Sequence, residues 1–212
     1  MGTTGERRMT QLTRTISLLY RMTDGDRRQL SENLLNARKA AWNTAIRAVA
    51  AEHGCNQAVP NAPRREDLAE LKRQSDEDAA SIVETWNRDV SAQIEKLYAA
   101  NARGNRTYYT SNLERWDAER QAWKLPQIAL NTDTVTTAYA RRQFYAANGL
   151  RGAQWIFTGA PPTCLQCIEL FAAGVVDQAF VDAHPAPAHI NCPHEWKPVQ
   201  PERVDCGEMW VG

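Results

Sequence analysis

From Asp26 onward, apolar residues recur at steps of three, four and seven. Leu30, Leu34, Ala41, Ala45 and Val49 follow this spacing, flanked by Leu35, Trp42 and Ile46. It lays one apolar stripe along a helix, and Gly54 predicts the helix end. A loop from Cys55 to Pro63 follows, carrying Pro60 and Pro63. A second long helix is predicted from Arg64 to Ala100. Its stripe is Leu68, Leu71, Ile82, Val83, Trp86, Val90, Ile94, Leu97 and Tyr98, and the polar stretch Gln74 to Asp78 predicts a kink or break. Asn101 to Arg106 reads as a turn. Leu113, Trp116 and Trp123 predict a third, short helix. Pro126 suits the first turn of a fourth, which would run through Ala129, Val135, Tyr139 and Phe144 to Asn148-Gly149.

After Gly149 the pattern changes. Gln154 to Thr158 is aromatic and β-branched and predicts a strand. Residues 150–212 hold seven of the ten prolines and four of the five cysteines, and helical period survives only around Cys167 to Ala173. Short loop-rich units rarely hold together by apolar burial alone, so this one calls for a staple. At the other end, residues 1–25 are polar and irregular. They predict a partly mobile arm with a short amphipathic piece over 14–22. The expected fold is mainly α: an arm over 1–25, a long-helix region over 26–149, and a small stapled α+β unit over 150–212.

Composition narrows the class. The chain has 212 residues, 43% apolar and 24% charged, which is ordinary for a globular protein. It has no apolar run long enough to span a membrane. Ile16 to Tyr20 is too short for a signal-peptide core and sits between Arg14 and Arg21, which predicts a cytoplasm-like compartment. Twenty-five basic and 25 acidic residues give a net charge of zero, which argues against a uniformly basic nucleic-acid binder. The charge is uneven, however. Residues 1–60 carry nine basic and five acidic residues, a net of +4, and residues 151–212 carry three and seven, a net of −4. The two ends could attract each other or contact oppositely charged partners.

The chemistry concentrates in the cysteines. Cys164-Leu165-Gln166-Cys167 is a CxxC, and His189-Ile190-Asn191-Cys192 is an HxxC. Together they make C-x2-C-x21-H-x2-C, a Cys3His set. Thiolate and imidazole suit a tetrahedral Zn2+, with Zn–S near ~2.3 Å and Zn–N near ~2.0 Å. A two-residue spacer lets both members of a pair turn toward one ion, and binding then becomes folding energy. His194 and His184 are alternative fourth ligands. Competing readings are a redox CxxC, a disulfide among Cys164, Cys167, Cys192 and Cys206, and packed, unliganded cysteines. A nucleobase deaminase would need H-x-E ahead of P-C-x-x-C. Here Thr163 separates Pro162 from Cys164, and Glu195 directly follows His194.

The frame around these cysteines resembles a known family. Trp155-Ile156-Phe157-Thr158-Gly159-Ala160-Pro161-Pro162-Thr163-Cys164-Leu165-Gln166-Cys167, followed by Pro187-Ala188-His189-Ile190-Asn191-Cys192-Pro193-His194, is similar to the tailed-phage minor head proteins, the Mu F-like head morphogenesis family. That pattern is an aromatic strand, Thr-Cys-x-x-Cys, a variable stretch, and Pro-x-His-x-x-Cys, usually continued by Arg-Cys. The match covers about 40 residues. Pro193-His194 stands where a further cysteine is common, which makes His194 a possible replacement ligand, and Gly159 to Pro162 stands where many members have an acidic residue. The resemblance implies a non-enzymatic structural virion component at the portal vertex or capsid interior, assembled in the host cytoplasm. Its partners would be the portal protein and the major capsid or scaffolding protein, with phage DNA a further candidate and no membrane. It would assist head assembly and genome packaging or delivery.

Other residues carry less. The helical tryptophans are expected in the core, and Met209 and Trp210 are candidates for an exposed anchor. Arg27-Arg28 and Arg141-Arg142 read as solvated helix faces, with DNA phosphates as the alternative partner. His53 is expected at a helix C-terminus. The sequence has no Gly-rich phosphate loop, Ser-His-Asp order or paired-carboxylate motif. The functional alternatives are a thiol-redox or zinc enzyme using the CxxC and a DNA-binding module.

Overall fold

The computed structural model of the chain describes residues 20–55, 62–148, 153–157, 164–188, 192 and 194–199. Three long helices dominate: α1 (Asp24–Glu52), α2 (Arg65–Ala100) and α3 (Arg106–Ala147). A small mixed region follows, with β1 (Ala153–Ile156), α4 (Leu165–Ala172), β2 (Val175–Val176), α5 (Gln178–Ala183) and β3 (Glu195–Pro198). The chain is thus mainly helical with a small sheet near its C-terminus. Among the described residues, no helix is long and apolar enough to cross a membrane.

Local chemistry sets the helix ends. Thr23 and Asp26 form a reciprocal capping box: Asp26 N donates to Thr23 Oγ1 at 3.2 Å, and Thr23 N donates to Asp26 Oδ2 at 2.7 Å. At the other end of α1, Cys55 N reaches Ala50 O at 2.7 Å and Gly54 N reaches Ala51 O at 3.1 Å, with Gly54 at φ 77°. This is a Schellman motif, which needs a left-handed residue and buries the one after it, here Cys55. Asn105 caps α3 by accepting from Tyr108 N at 2.9 Å.

The polar stretch Gln74 to Asp78 does not break α2, which runs from Arg65 to Ala100 without interruption. Ser75 and Ala79 are small, buried and in phase with Leu71, so the buried stripe continues through the stretch. On the exposed side, Lys72–Asp76 and Arg73–Glu77 pair at i,i+4. The expected division at Pro126 is also absent. One 42-residue helix covers both predicted ones, with Pro126 inside it. Proline costs an interior helix about 3 kcal/mol, so the flanking turns must supply more than that.

The described residues fall into two compact units, one from Met1–Leu35 with Lys72–Pro126, the other from Asn36–Leu71 with Gln127–Gly212. In the first, Val90, Ile94, Leu97, Tyr109 and Leu113 form the core, with Tyr20, Trp86 and Trp116 packed on it. The segment before α1 is fastened there: Trp86 Nε1 donates to Tyr20 O at 2.9 Å, and Asn87 exchanges two bonds with the Met22 backbone. In the second, Trp42, Ile46, Val49, Leu71, Ala140 and Phe144 are buried. Its sheet has the order β2-β1-β3, antiparallel throughout, with Trp155 opposite Trp196. The predicted strand at Gln154 to Thr158 overlaps β1, which begins one residue earlier and ends at Ile156; Thr158 lies outside the described residues.

Candidate metal centre

The C-terminal cysteines meet in one small core. Trp155, Cys167, Leu170, Val181, Cys192 and Trp196 form it, and Cys164 and Phe157 pack against it. Cys164 is the N-cap of α4. Its sulfur accepts from Cys167 N at 3.3 Å, so the two-residue spacer reflects capping geometry, with the second cysteine one turn into the helix. Leu170 follows Cys167 by three and is buried on the same side. Cys192, on the chain just before β3, brings its sulfur to 3.5 Å from Cys167 Sγ. The Trp155 and Trp196 rings meet edge to face at 5.0 Å, and Trp196 Nε1 donates to His184 O at 2.8 Å. These contacts tie β1, β3 and the end of α5 around the sulfurs.

The 3.5 Å separation discriminates between chemistries. A disulfide needs about 2.05 Å, and Cys164, Cys167 and Cys192 are free thiols. Two thiolates on one tetrahedral ion at ~2.3 Å stand about 3.8 Å apart. The Cys167 thiol is pushed well above its ordinary pKa, first by burial and then by hydrogen bonds shared with Cys164 and Cys192. Burial disfavours a bare thiolate there, so a cation would have to supply the charge that holds the sulfur deprotonated. The setting differs from a thioredoxin-type site, because the strand before the CxxC has antiparallel neighbours, whereas that motif belongs to a parallel βαβ unit.

The histidines separate. His184 is exposed at the end of α5, its Nδ1 3.0 Å from Phe180 O and its ring stacked on Phe180 at 4.3 Å. His194 is buried, with its ring edge-on to Phe157 at 5.0 Å. His189 lies outside the described residues, as do Cys206, Met209 and Trp210. Among the described residues, no group of three or more His, Cys, Asp or Glu side chains forms a metal site. The donors themselves suit a borderline cation, being three sulfurs drawn into one core with an imidazole two residues past Cys192. The indole N–H of Trp155 is buried in the same core without an acceptor among the described residues.

Several other expectations change. Trp123 is half exposed rather than core, because α3 carries it at the edge of an open cleft of about 330 Å³ lined by Asp89, Lys96, Trp116, Glu119 and Arg120. Arg120 is buried there, its guanidinium 4.8 Å from the Trp86 ring centroid and 5.3 Å from that of Trp116, and it is bonded to Asp89. Arg141 and Arg142 are not simply solvated. Arg141 pairs with Glu52 at 2.5 Å and Glu195 at 3.2 Å, and Arg142 pairs with Asp182 at 3.6 Å. His53 does end α1, where it stacks on Phe144 at 5.9 Å. Sequence reading missed a buried polar group: Asp67 accepts from Arg64 Nε at 2.8 Å and from Tyr139 at 3.1 Å. Its signal was phase, since Asp67 stands four residues before Leu71 on the buried stripe of α2. No protein-family model, curated protein or solved structure matches this chain.

Proposed function

We propose that this chain is a non-enzymatic structural component of a tailed-phage head, a minor capsid protein associated with the portal or the capsid interior. In this reading Cys164, Cys167, His189 and Cys192 hold a structural Zn2+. The observation that carries it is the approach of Cys167 and Cys192 to 3.5 Å in a core that Cys164 also joins. The family-like frame of aromatic strand, Thr-Cys-x-x-Cys and Pro-x-His-x-x-Cys surrounds those residues. When bound, the ion supplies a cross-link between chain segments 21 residues apart and no reactive position, because four protein ligands complete a tetrahedron. Cys164 both caps α4 and presents its sulfur, and β1 and β3 hold the two cysteine-bearing segments side by side. The long helices offer surfaces for assembly with the portal and the major capsid or scaffolding protein, with phage DNA a further candidate.

Elemental analysis of the purified chain tests the site. About one zinc per chain is expected, lost in Cys164→Ser. Absence of zinc from protein purified without chelator would overturn the staple. Co-expression with a portal ring tests the setting: the chain should co-purify with the ring, and a chain that never does would count against the virion role. The antiparallel neighbours of β1 argue against a thioredoxin-type redox site, and the zero net charge argues against a DNA-binding module.

A further inference from the structure

The small C-terminal region exposes an unusual amount of apolar surface. Of the nine large apolar side chains exposed among the described residues, Leu165, Ile168 and Phe171 belong to α4 and Val175 opens β2. At 100° per residue, Leu165 and Ile168 lie on the side of α4 away from Leu170, which faces the core, and the half-exposed Phe171 edges that face, one turn past Cys167 and stacked on Phe157 at 4.6 Å. Leu165 is 77% exposed. The charge around this face has one sign. From Gly152 to Trp196 the sequence contains no lysine or arginine, and its acids are Glu169, Asp177, Asp182 and Glu195. Arg142 and Arg141 engage Asp182 and Glu195. Glu169, beside Ile168, and Asp177, two residues past Val175, are both exposed.

An apolar strip edged by carboxylates selects its occupant. Duplex DNA and an anionic lipid surface are both repelled. A second copy of the same face would set Glu169 and Asp177 against their own images. The complement is a short segment with apolar anchors beside cations, and this chain carries one. Residues 7–19 hold Arg7, Arg8 and Arg14 beside Leu12, Ile16, Leu18 and Leu19, with no acidic residue. The +4 of residues 1–60 and the −4 of residues 151–212 have the same logic at larger scale.

We propose that the Leu165–Ile168–Phe171 face of α4 binds the arginine-bearing segment, residues 7–19, of a second copy of this chain. The contact is heterologous, arm on one copy and face on the next, so repetition closes a ring or runs on as an open chain.

Sedimentation equilibrium of the full chain at low salt tests this. Reversible self-association is expected, weakened by added salt. Ile168→Asp should weaken it at least ~10-fold, and so should the double variant Arg8→Glu, Arg14→Glu. Leu165→Asp, at a nearly fully exposed position, serves if Ile168→Asp fails to fold. Mixing a face-defective variant with the arm-defective one should restore a 1:1 dimer that grows no further, since each supplies the half the other lacks. Zinc content and far-ultraviolet circular dichroism of each variant separate loss of this face from loss of the cysteine core. A chain that stays monomeric near millimolar concentration overturns the proposal. So does association indifferent to both variants, a mixture that does not associate, or phosphatidylserine-vesicle or duplex-DNA binding that Ile168→Asp removes.

Discussion

Two tyrosines in the second compact unit make its stability pH-dependent. Tyr145 is pushed up to about 12, chiefly by burial, with Arg141 opposing and Glu195 and Glu52 reinforcing the shift. Tyr139 moves further the same way, by burial and then by Asp67, to which it donates at 3.1 Å. In the unfolded chain both titrate near ~10. Below that pH both states keep the proton and stability does not depend on these groups. Above it the unfolded state loses protons that the folded state retains, so stability falls as pH rises, by about 1.4 kcal/mol per pH unit for each tyrosine. Urea titrations between pH 9 and 12 should show that slope starting near ~10. Tyr145→Phe should flatten it at little cost near neutrality. Tyr139→Phe should flatten it and also lose about 1 kcal/mol at pH 7, the worth of its bond to Asp67. A slope unchanged in both variants would place the alkaline transition elsewhere.

Helix α3 poses the clearest question at the level of elements. Pro126 has no N–H for the Ala122 carbonyl, and its ring is exposed, so nothing in the fold offsets the loss locally. Pro126→Ala should therefore stabilise the protein by roughly 1–3 kcal/mol, raising Tm by several degrees. An unchanged or lower Tm would mean that the proline is needed where it stands, at the boundary of the two compact units. The same residue marks the limit of what the pattern of the chain discloses. Proline is a good sign of a first helical turn, but neighbouring packing can override it, and the buried Thr132, Thr136 and Ala140 beyond it are too small or polar to announce a continuing stripe. The ends of α1 and α2 were legible because glycine, proline and apolar period agreed there. Strand β2 was not, since two residues carry no period. The gathering of Cys164, Cys167 and Cys192 was legible as spacing, but the capping role of Cys164 was not, because cysteine is not a usual N-cap residue. Arg38 and Asp67 were passed over as charges although both stand in phase with buried apolar neighbours.

For the molecule as a whole, cohesion is uneven. The helices bury long stripes, whereas the C-terminal sheet has strands of four, two and four residues, below what a sheet needs to stand alone. Its core is six side chains, two of them tryptophans and two cysteines. Salt bridges from Arg141 to Glu195 and from Arg142 to Asp182 tie it to α3, and partly exposed pairs of this kind contribute about 1 kcal/mol or less each. If zinc is the staple, its removal withdraws on the order of 10 kcal/mol from that small core, more than its few contacts can replace. A strong chelator should therefore erase the near-ultraviolet circular dichroism of the paired Trp155 and Trp196 rings and expose the cysteines to thiol reagents. Most far-ultraviolet helical signal should persist, because α1, α2 and α3 draw their burial from their own stripes. Zinc should restore both signals, while magnesium, which prefers oxygen ligands, should restore neither. A near-ultraviolet spectrum indifferent to chelation would mean that the aromatic pair and the apolar packing around it suffice, and that the three sulfurs meet as ordinary core thiols.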